Sequence, residues 1–263
     1  MRIICLVKFV PDVDNFRYDY ERHVLIRDKA QQVLNSDDAA AIAWALRCKQ
    51  ERADVTVEIV TMGPESVLDC VRDLLRRGAD RATILSDKWF AGSDTYATSL
   101  ILAAYLKESD FDLILSGTRS LDGDTAHVPA QVAQLLGLEH MSAIKSLDQA
   151  RLPEQISFTV ETEWELLTYE MMLPALCSLT RDAPYKLPHV RYHDLDLYVD
   201  DRIRVLSNSQ LNLPEEALGL RGSLTRIVHT YTREPQPKEQ VVVQADEAGI
   251  ERVYQFLIEK GYL

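Results

Sequence analysis

Short apolar runs alternate with stretches of helical period along the first two thirds of the chain. Ile3 to Val7 is an apolar run stopped by Pro11 and Asp12, which predicts a buried central strand and its turn. Asn35 to Gln50 predicts a helix with Ser36 or Asp37 as N-cap and an Ala-rich body holding Ala41, Trp44, Ala45 and Cys48. Val55 to Thr61, alternating and β-branched, predicts a second strand. Met62-Gly63-Pro64 then turns into a helix with Val67, Leu68, Val71, Leu74 and Leu75 on one face and Gly78 beyond its end. Ala82 to Leu85 is a third strand, and Asp94 caps a helix running to Lys107. Leu113 to Leu115 then leads through a polar loop to Val128, Val132, Leu135 and Leu136, one face of another helix. Successive strand–helix crossovers of this kind predict a parallel sheet with helices on both faces.

The pattern changes downstream. Ile156 to Met171 alternates like an antiparallel hairpin, and Leu173 to Leu179, with Pro174, predicts the strand after it. Beyond about residue 184 prolines and clustered charge replace long apolar runs. That section predicts an extended arm ending in a helix over 247–260, with Ile250, Val253 and Leu257 as its apolar stripe. The expected organisation is an α/β domain over 1–187 and an arm over 188–263. Residues 14–32, charged and aromatic (Tyr18, Tyr20, His23), predict an excursion or hairpin and carry no chemistry.

Composition narrows the class. At 263 residues, 46% apolar and 27% charged, the chain suits a soluble globular protein able to bury a sizeable core. No apolar run reaches membrane-span length, and Met1-Arg2 followed directly by a strand leaves no room for a signal peptide. Cys5, Cys48, Cys70 and Cys177 lie far apart in apolar surroundings, so buried reduced thiols and a cytoplasmic home are expected. A formal charge of −12 argues against nucleic acid as a partner.

The candidate chemistry sits in 112–137, DLILSGTRSLDGDTAHVPAQVAQLLG. A strand opening into a loop and then a helix is where α/β sheets bind ligands, with helix-start N–H groups facing anions. Gly117 and Gly123 permit close backbone approach, and Thr118, Ser120 and Thr125 offer hydroxyls. Arg119 offers a cation, and the N–H groups of Thr125, Ala126 and His127 can face a phosphate. Pro129 fits only the first helical turn. Asp122 and Asp124 repel phosphate, so they suit either the loop's own N–H groups or a ribose hydroxyl. The same residue types also suit an ordinary strand–loop–helix whose Asp and Thr merely cap and turn. Neither GxGxxG nor a Walker loop occurs, no metal-ligand spacing is present and no catalytic triad can be assembled. A hydrolase using Asp122 or Asp124 with a metal would lack nearby His or Glu ligands.

GTRSLDGDTAHVPAQVAQLLG resembles the nucleotide-binding signature of electron-transfer flavoprotein beta (small) subunits. The blocks IICLVKFVPD, LNSDDAAAIAWALRCK, VTMGPESV with LLRRGADRA, SDTYATSLILAA, LPALCSLT, VRYHDL and LGLRGSLTRI resemble the family's blocks in the same order, over nearly the whole chain. The resemblance implies a Rossmann-like doubly wound sheet that pairs with an alpha subunit, embraced by the C-terminal arm. It also implies that redox chemistry belongs to bound flavin rather than to side chains.

The resemblance implies nucleotide contacts at Lys8, with Phe9 and Val10 near the adenine, at Asn35, and at Thr61, Met62 and Gly63. It adds Asp94, Thr95 and Thr98, and the run Ser116, Gly117, Thr118, Arg119, Ser120, Asp122, Gly123, Asp124, Thr125, Ala126, His127 and Val128. RYHDL resembles the family's recognition loop, placing Arg191, Tyr192 and Leu195 against an acyl-CoA dehydrogenase-like partner. Asp196, Asp200 and Asp201 stand where many members carry small and basic residues, which implies a partner with a basic docking face. The family divides between beta subunits holding structural AMP and those holding a second FAD for electron bifurcation from NADH. Thr125-Ala126-His127-Val128 is closer to the FAD-type DGDTAQV form, with His127 in place of Gln and Pro129 in place of Gly. A histidine there could hydrogen-bond flavin or phosphate. The rival from another class is a non-redox adenine-nucleotide sensor, which would have no need of the long arm.

Overall fold

The computed structural model describes residues 1–12, 17–19, 24–26, 32–226 and 241–263. They fall into two compact units, Met1–Arg226 and Ile227–Leu263. In the first unit β1 (Arg2–Val7) leads to β2 (Phe9–Pro11). The short β3 (Arg17–Asp19) and β4 (Val24–Ile26) pair antiparallel, and β5 (Gln32–Leu34) returns to pair with β2. The rest of the 14–32 segment, including Tyr20 and His23, lies outside the described residues. There follow α1 (Ser36–Glu51), β6 (Thr56–Met62), α2 (Leu68–Arg76), β7 (Arg81–Leu85) and α3 (Thr95–Lys107). Then come β8 (Leu113–Gly117), α4 (Val128–Leu136), β9 (Glu139–Asp148), β10 (Gln155–Glu161), β11 (Leu166–Met172) and β12 (Ala175–Leu179). β13 (Ile203–Leu206) and the one-turn helices α5 (Asn208–Leu211) and α6 (Gly219–Gly222) complete the unit.

Nine strands form one sheet in the order β11-β10-β9-β12-β8-β1-β6-β7-β13. From β9 to β13 every neighbouring pair is parallel, and only β9-β10-β11 run antiparallel. The expected mostly parallel α/β sheet with an antiparallel hairpin is therefore present. Strands buried on both faces explain the continuous apolar runs, because alternate residues serve opposite helical layers. Cys5, Ile59, Leu115 and Cys177 face α1 and α2, where Trp44, Ala45, Val71 and Leu75 meet them. Ile4, Leu6, Val60, Ile114 and Leu176 face α3 and α4, where Ile101, Leu106 and Val132 meet them. Each fully buried Ile or Leu contributes about 1.5–3 kcal/mol of transfer free energy, so these two layers hold the sheet.

One buried charge interrupts the α3 layer. Glu58, in the middle of β6, is fully buried. It accepts from Tyr105 Oη at 2.5 Å and Thr83 Oγ1 at 2.9 Å, and pairs with Arg81 Nε at 3.1 Å and with the Arg2 guanidinium. Arg204, from the edge strand β13, adds a hydrogen bond to Tyr105 Oη at 3.0 Å.

Several elements depart from the sequence-based expectation. Asn35, not Ser36 or Asp37, occupies the N-cap of α1, and no side chain caps it, because the Asn35 carboxamide reaches another loop. Pro64 opens a 3-10 turn over Glu65–Val67 rather than α2 itself. β9 and β13 were not anticipated. Asp94 caps α3 as expected, its carboxylate accepting from Ala97 N–H at 3.0 Å. His127 is the residue before α4, with Pro129 in the first turn. All four cysteines are free; Cys5, Cys48 and Cys177 are buried, and burial pushes the Cys48 thiol up to about 11 and Cys177 to about 12.

In the second unit α7 (Glu247–Glu259) is capped by Asp246, whose carboxylate accepts from Gly249 N–H at 2.8 Å. Its Ile250, Val253, Tyr254 and Phe256 are exposed within that unit. Among the described residues no helix is long and apolar enough to cross a membrane.

Candidate functional site

The carboxyl ends of β1 and β8 meet the first turn of α1 through one buried carboxylate. Asp38 Oδ2 accepts from the Lys8 N–H at 2.8 Å, and its Oδ1 accepts from the Gly117 N–H at 2.7 Å. Two strand ends on different chain segments are thereby fixed to one helix. No side chain fits at position 117. A Cβ there would stand 2.4 Å from Asp38 Oδ1 and 2.7 Å from Asp38 N, so glycine is required by the close approach of β8 to α1.

Burial pushes the Asp38 carboxyl up to about 7, against the opposing pull of the Lys8 and Gly117 N–H groups and the Asn35 side chain. Burial likewise raises neighbouring Asp37, which the Arg119 and Arg181 N–H groups and charges pull back. A carboxyl raised from about 3.9 in the unfolded chain binds a proton on folding, so its contribution is greatest below that value. The contribution falls as pH rises toward the folded value of about 7. Asp38→Asn should remove this slope from denaturant-measured stability between about pH 4 and 7. It should also cost about 1–3 kcal/mol at pH 5, because an amide oxygen can satisfy only one of the two N–H groups. A variant retaining the wild-type pH slope would contradict this.

A second polar residue clamps the loop. Asn35 is buried, and its own N–H donates to the Lys8 carbonyl at 3.0 Å. Its Nδ2 donates to the Arg119 carbonyl at 2.8 Å, and its Oδ1 accepts from the Leu121 N–H at 3.1 Å. The loop then closes on its own charges. Lys8 Nζ lies 2.7 and 2.8 Å from the two Asp122 oxygens, and Arg119 pairs with Asp124 at 3.2 Å. Asp122 and Asp124 thus pair with Lys8 and Arg119, two cations at the rim of the loop. The Asp122 carboxyl sits low because hydrogen bonds from Lys8 and Ser120 outweigh the upward push of burial.

What remains uncommitted is the part of the loop that leads into α4. Residues 121–127 are exposed, and Asp124 and Ala126 hold positive φ of 49° and 55°. Among the described residues the N–H groups of Thr125, Ala126 and His127 make no hydrogen bond. Beside the loop, the buried hydroxyls of Thr61, Ser116 and Thr118 also lack partners among the described residues. Unsatisfied buried polar groups are rare in native proteins. A set of them at the carboxyl end of a parallel sheet fits a polar ligand.

The family profile described as "Electron transfer flavoprotein domain" matches residues 22–179, more than half of the chain. The electron transfer flavoprotein subunit beta of Thermoanaerobacterium thermosaccharolyticum is 30% identical over 264 residues, covering 99% of this chain and 97% of that protein. The chain belongs to the electron-transfer flavoprotein beta-subunit family. It is also 33% identical over 237 residues to the caffeyl-CoA reductase-Etf complex subunit CarD of Acetobacterium woodii, with 88% of each chain covered. The acryloyl-CoA reductase electron transfer subunit gamma of Anaerotignum propionicum is 28% identical, with 99% of each chain covered.

In this structure the residues singled out from sequence fall into four groups. Lys8, Asn35 and Ser116 to Val128 gather at the carboxyl ends of β1 and β8, and Thr61, Met62 and Gly63 end the adjacent β6. Phe9 and Val10 are buried in β2 against β5. Asp94, Thr95 and Thr98 sit at the start of α3, where the Asp94 carboxylate accepts from both the N–H and the hydroxyl of Thr225. Arg191 and Tyr192 lie elsewhere, at a 3-10 turn over Tyr192–Asp194, with Tyr192 91% and Leu195 49% exposed. Sequence reasoning missed Asp38, the residue that fastens β1 and β8. Its only signal was its place in the acidic pair Asp37-Asp38 at the helix start, which reads equally well as first-turn acids favoured by the helix dipole.

Proposed function

We propose that the chain is the beta subunit of a heterodimeric, cytoplasmic electron carrier, and that the loop after β8 holds an adenine nucleotide whose phosphates meet the N–H groups of Thr125, Ala126 and His127. Those three free donors carry the reading, because they form a ready anion site beside unpartnered buried hydroxyls. Lys8 and Arg119 add positive charge at the rim, each held in place by a loop aspartate. Asn35 and Asp38 position the loop through their hydrogen bonds to Arg119, Leu121, Lys8 and Gly117. A bound flavin would supply the redox chemistry, and this chain binds it, orients it and sets the charge around it.

FAD is the nucleotide favoured over AMP, on the Thr125-Ala126-His127-Val128 sequence and on relatives named for CoA-ester reductase complexes. NADH is then the donor and bifurcation the working mode. AMP would make the chain the structural half of a single-flavin shuttle. The acceptor is an acyl-CoA dehydrogenase-like flavoenzyme engaging Arg191, Tyr192 and Leu195, and the arm over 188–263 meets the alpha subunit. Of the acidic residues beside that loop, Asp200 is already bound by Arg72 through two hydrogen bonds of 2.8 Å, which leaves Asp196 and Asp201 to face a partner's basic surface.

The deciding measurement is nucleotide released from the complex co-purified with its alpha subunit. Two FAD per heterodimer is expected. One FAD with one AMP would establish the single-flavin reading, and no nucleotide would favour the sensor.

A further inference from the structure

At the opposite end of the sheet from the nucleotide loop, α1 and α2 finish beside the segment 188–202 and line with it a half-open cavity of about 400 Å³. In parallel β/α units helices return against the strands, so helix C-termini lie at the amino ends of the strands. The two sites are therefore separated by the depth of the sheet. The cavity is basic in a chain of net charge −12: Lys49, Arg76, Arg77, Arg191 and Arg202 line it, and Asp194 is its one acidic lining residue.

Part of that charge has a structural use. Lys49 bonds the Gly78 carbonyl at 2.8 Å and Asp80 at 2.7 Å, Arg77 the Pro188 carbonyl at 2.6 Å, and Arg76 the Leu197 carbonyl at 3.3 Å. The C-termini of α1 and α2 offset some more. The rest is uncommitted. Among the described residues the side chains of His189, Arg191 and Arg202 make no hydrogen bond or ion pair. Asp194 is turned to His193 at 3.3 Å.

We propose that this cavity binds a small phosphate-bearing organic anion. Two unpaired guanidiniums from either end of the 188–202 segment can each grip a phosphate through paired N–H donors. Leu46, Leu75 and Leu197 give the cavity an apolar wall for the rest of the ligand. Its volume lies in the range of small-molecule sites. Bound there, the anion bridges Arg191 and Arg202 and ties the segment carrying Leu195 to the ends of α1 and α2. The site stands on its own geometry and does not depend on which nucleotide occupies the loop after β8.

The test is calorimetric titration of the purified full chain, with any co-purifying subunit, using inorganic pyrophosphate as the probe and sodium chloride matched for ionic strength. Saturable binding is expected, weakened at least tenfold by Arg202→Gln and by Arg191→Gln. Amide exchange over 188–202 should slow on binding. Absence of saturable heat overturns the proposal, as does binding that survives both arginine substitutions, which would put the anion elsewhere, at the nucleotide loop first of all. Citrate is titrated in parallel. Pyrophosphate the tighter ligand assigns the site to phosphate, whereas citrate the tighter one overturns that class in favour of a polycarboxylate.

Discussion

Gly117→Ala should lower the stability of the first unit by about 3 kcal/mol or more and empty the proposed nucleotide site. The added methyl would press on Asp38 Oδ1 at 2.4 Å, Asp37 Cβ at 2.6 Å and Asp38 N at 2.7 Å. All three contacts belong to the first turn of α1, and none to the end of a long, pliable side chain. Relief therefore requires β8 to move away from α1. That movement breaks the Asp38 hydrogen bond to the Gly117 N–H and loosens the loop that follows. For a chain of this size each kcal/mol lowers the melting temperature by about 2–4 °C, so a drop near 6–12 °C is expected. Nucleotide content of the purified complex should fall in parallel. A Gly117→Ala protein that melts within about 2 °C of wild type and keeps its full nucleotide would show that β8 and α1 are not held as tightly as the geometry requires.

The second large effect concerns Glu58. Removing one member of a buried ion cluster leaves uncompensated charge, at a cost of about 3–5 kcal/mol, and Glu58→Ala strands Arg2 and Arg81 in this way. Burial alone would raise the Glu58 pKa, but hydrogen bonds from Tyr105, Arg2 and Thr83 outweigh it and hold the carboxyl below its ordinary range. A depressed carboxyl contributes stability that is fully present above the unfolded value, about 4.3 for glutamate. That contribution is lost as pH falls through the lower folded value. Wild type should therefore lose stability below about pH 4 in a way that Glu58→Gln does not. The variants should be compared by urea unfolding at pH 7 and again at acid pH. Equal acid slopes in wild type and Glu58→Gln would assign the loss to other carboxylates.

The alternation of apolar runs with helical stretches was enough to establish the parallel sheet, the two helical layers and the loop after β8. Burial on both sheet faces leaves a strong mark in composition, and Pro129 and Gly137 bracket α4 by their own backbone limits. β9 escaped because its pattern is broken. Ala143 takes a φ of 56° and the pairing slips against both β10 and β12, so no single alternation runs through it. β13 escaped because four residues at a sheet edge, set among charged neighbours, bury too little to stand out. The sequence by itself also marked the loop's glycines, hydroxyls and N–H donors, since those depend on residue type alone. Only the tertiary structure decided that Asp38 joins Lys8 to Gly117, that Asn35 holds Arg119 and Leu121, and that Lys8 answers Asp122. Each of these contacts spans from 30 to 114 positions of chain. Such contacts arise from how strands and helices stack, and local propensity carries no information about a partner that far away.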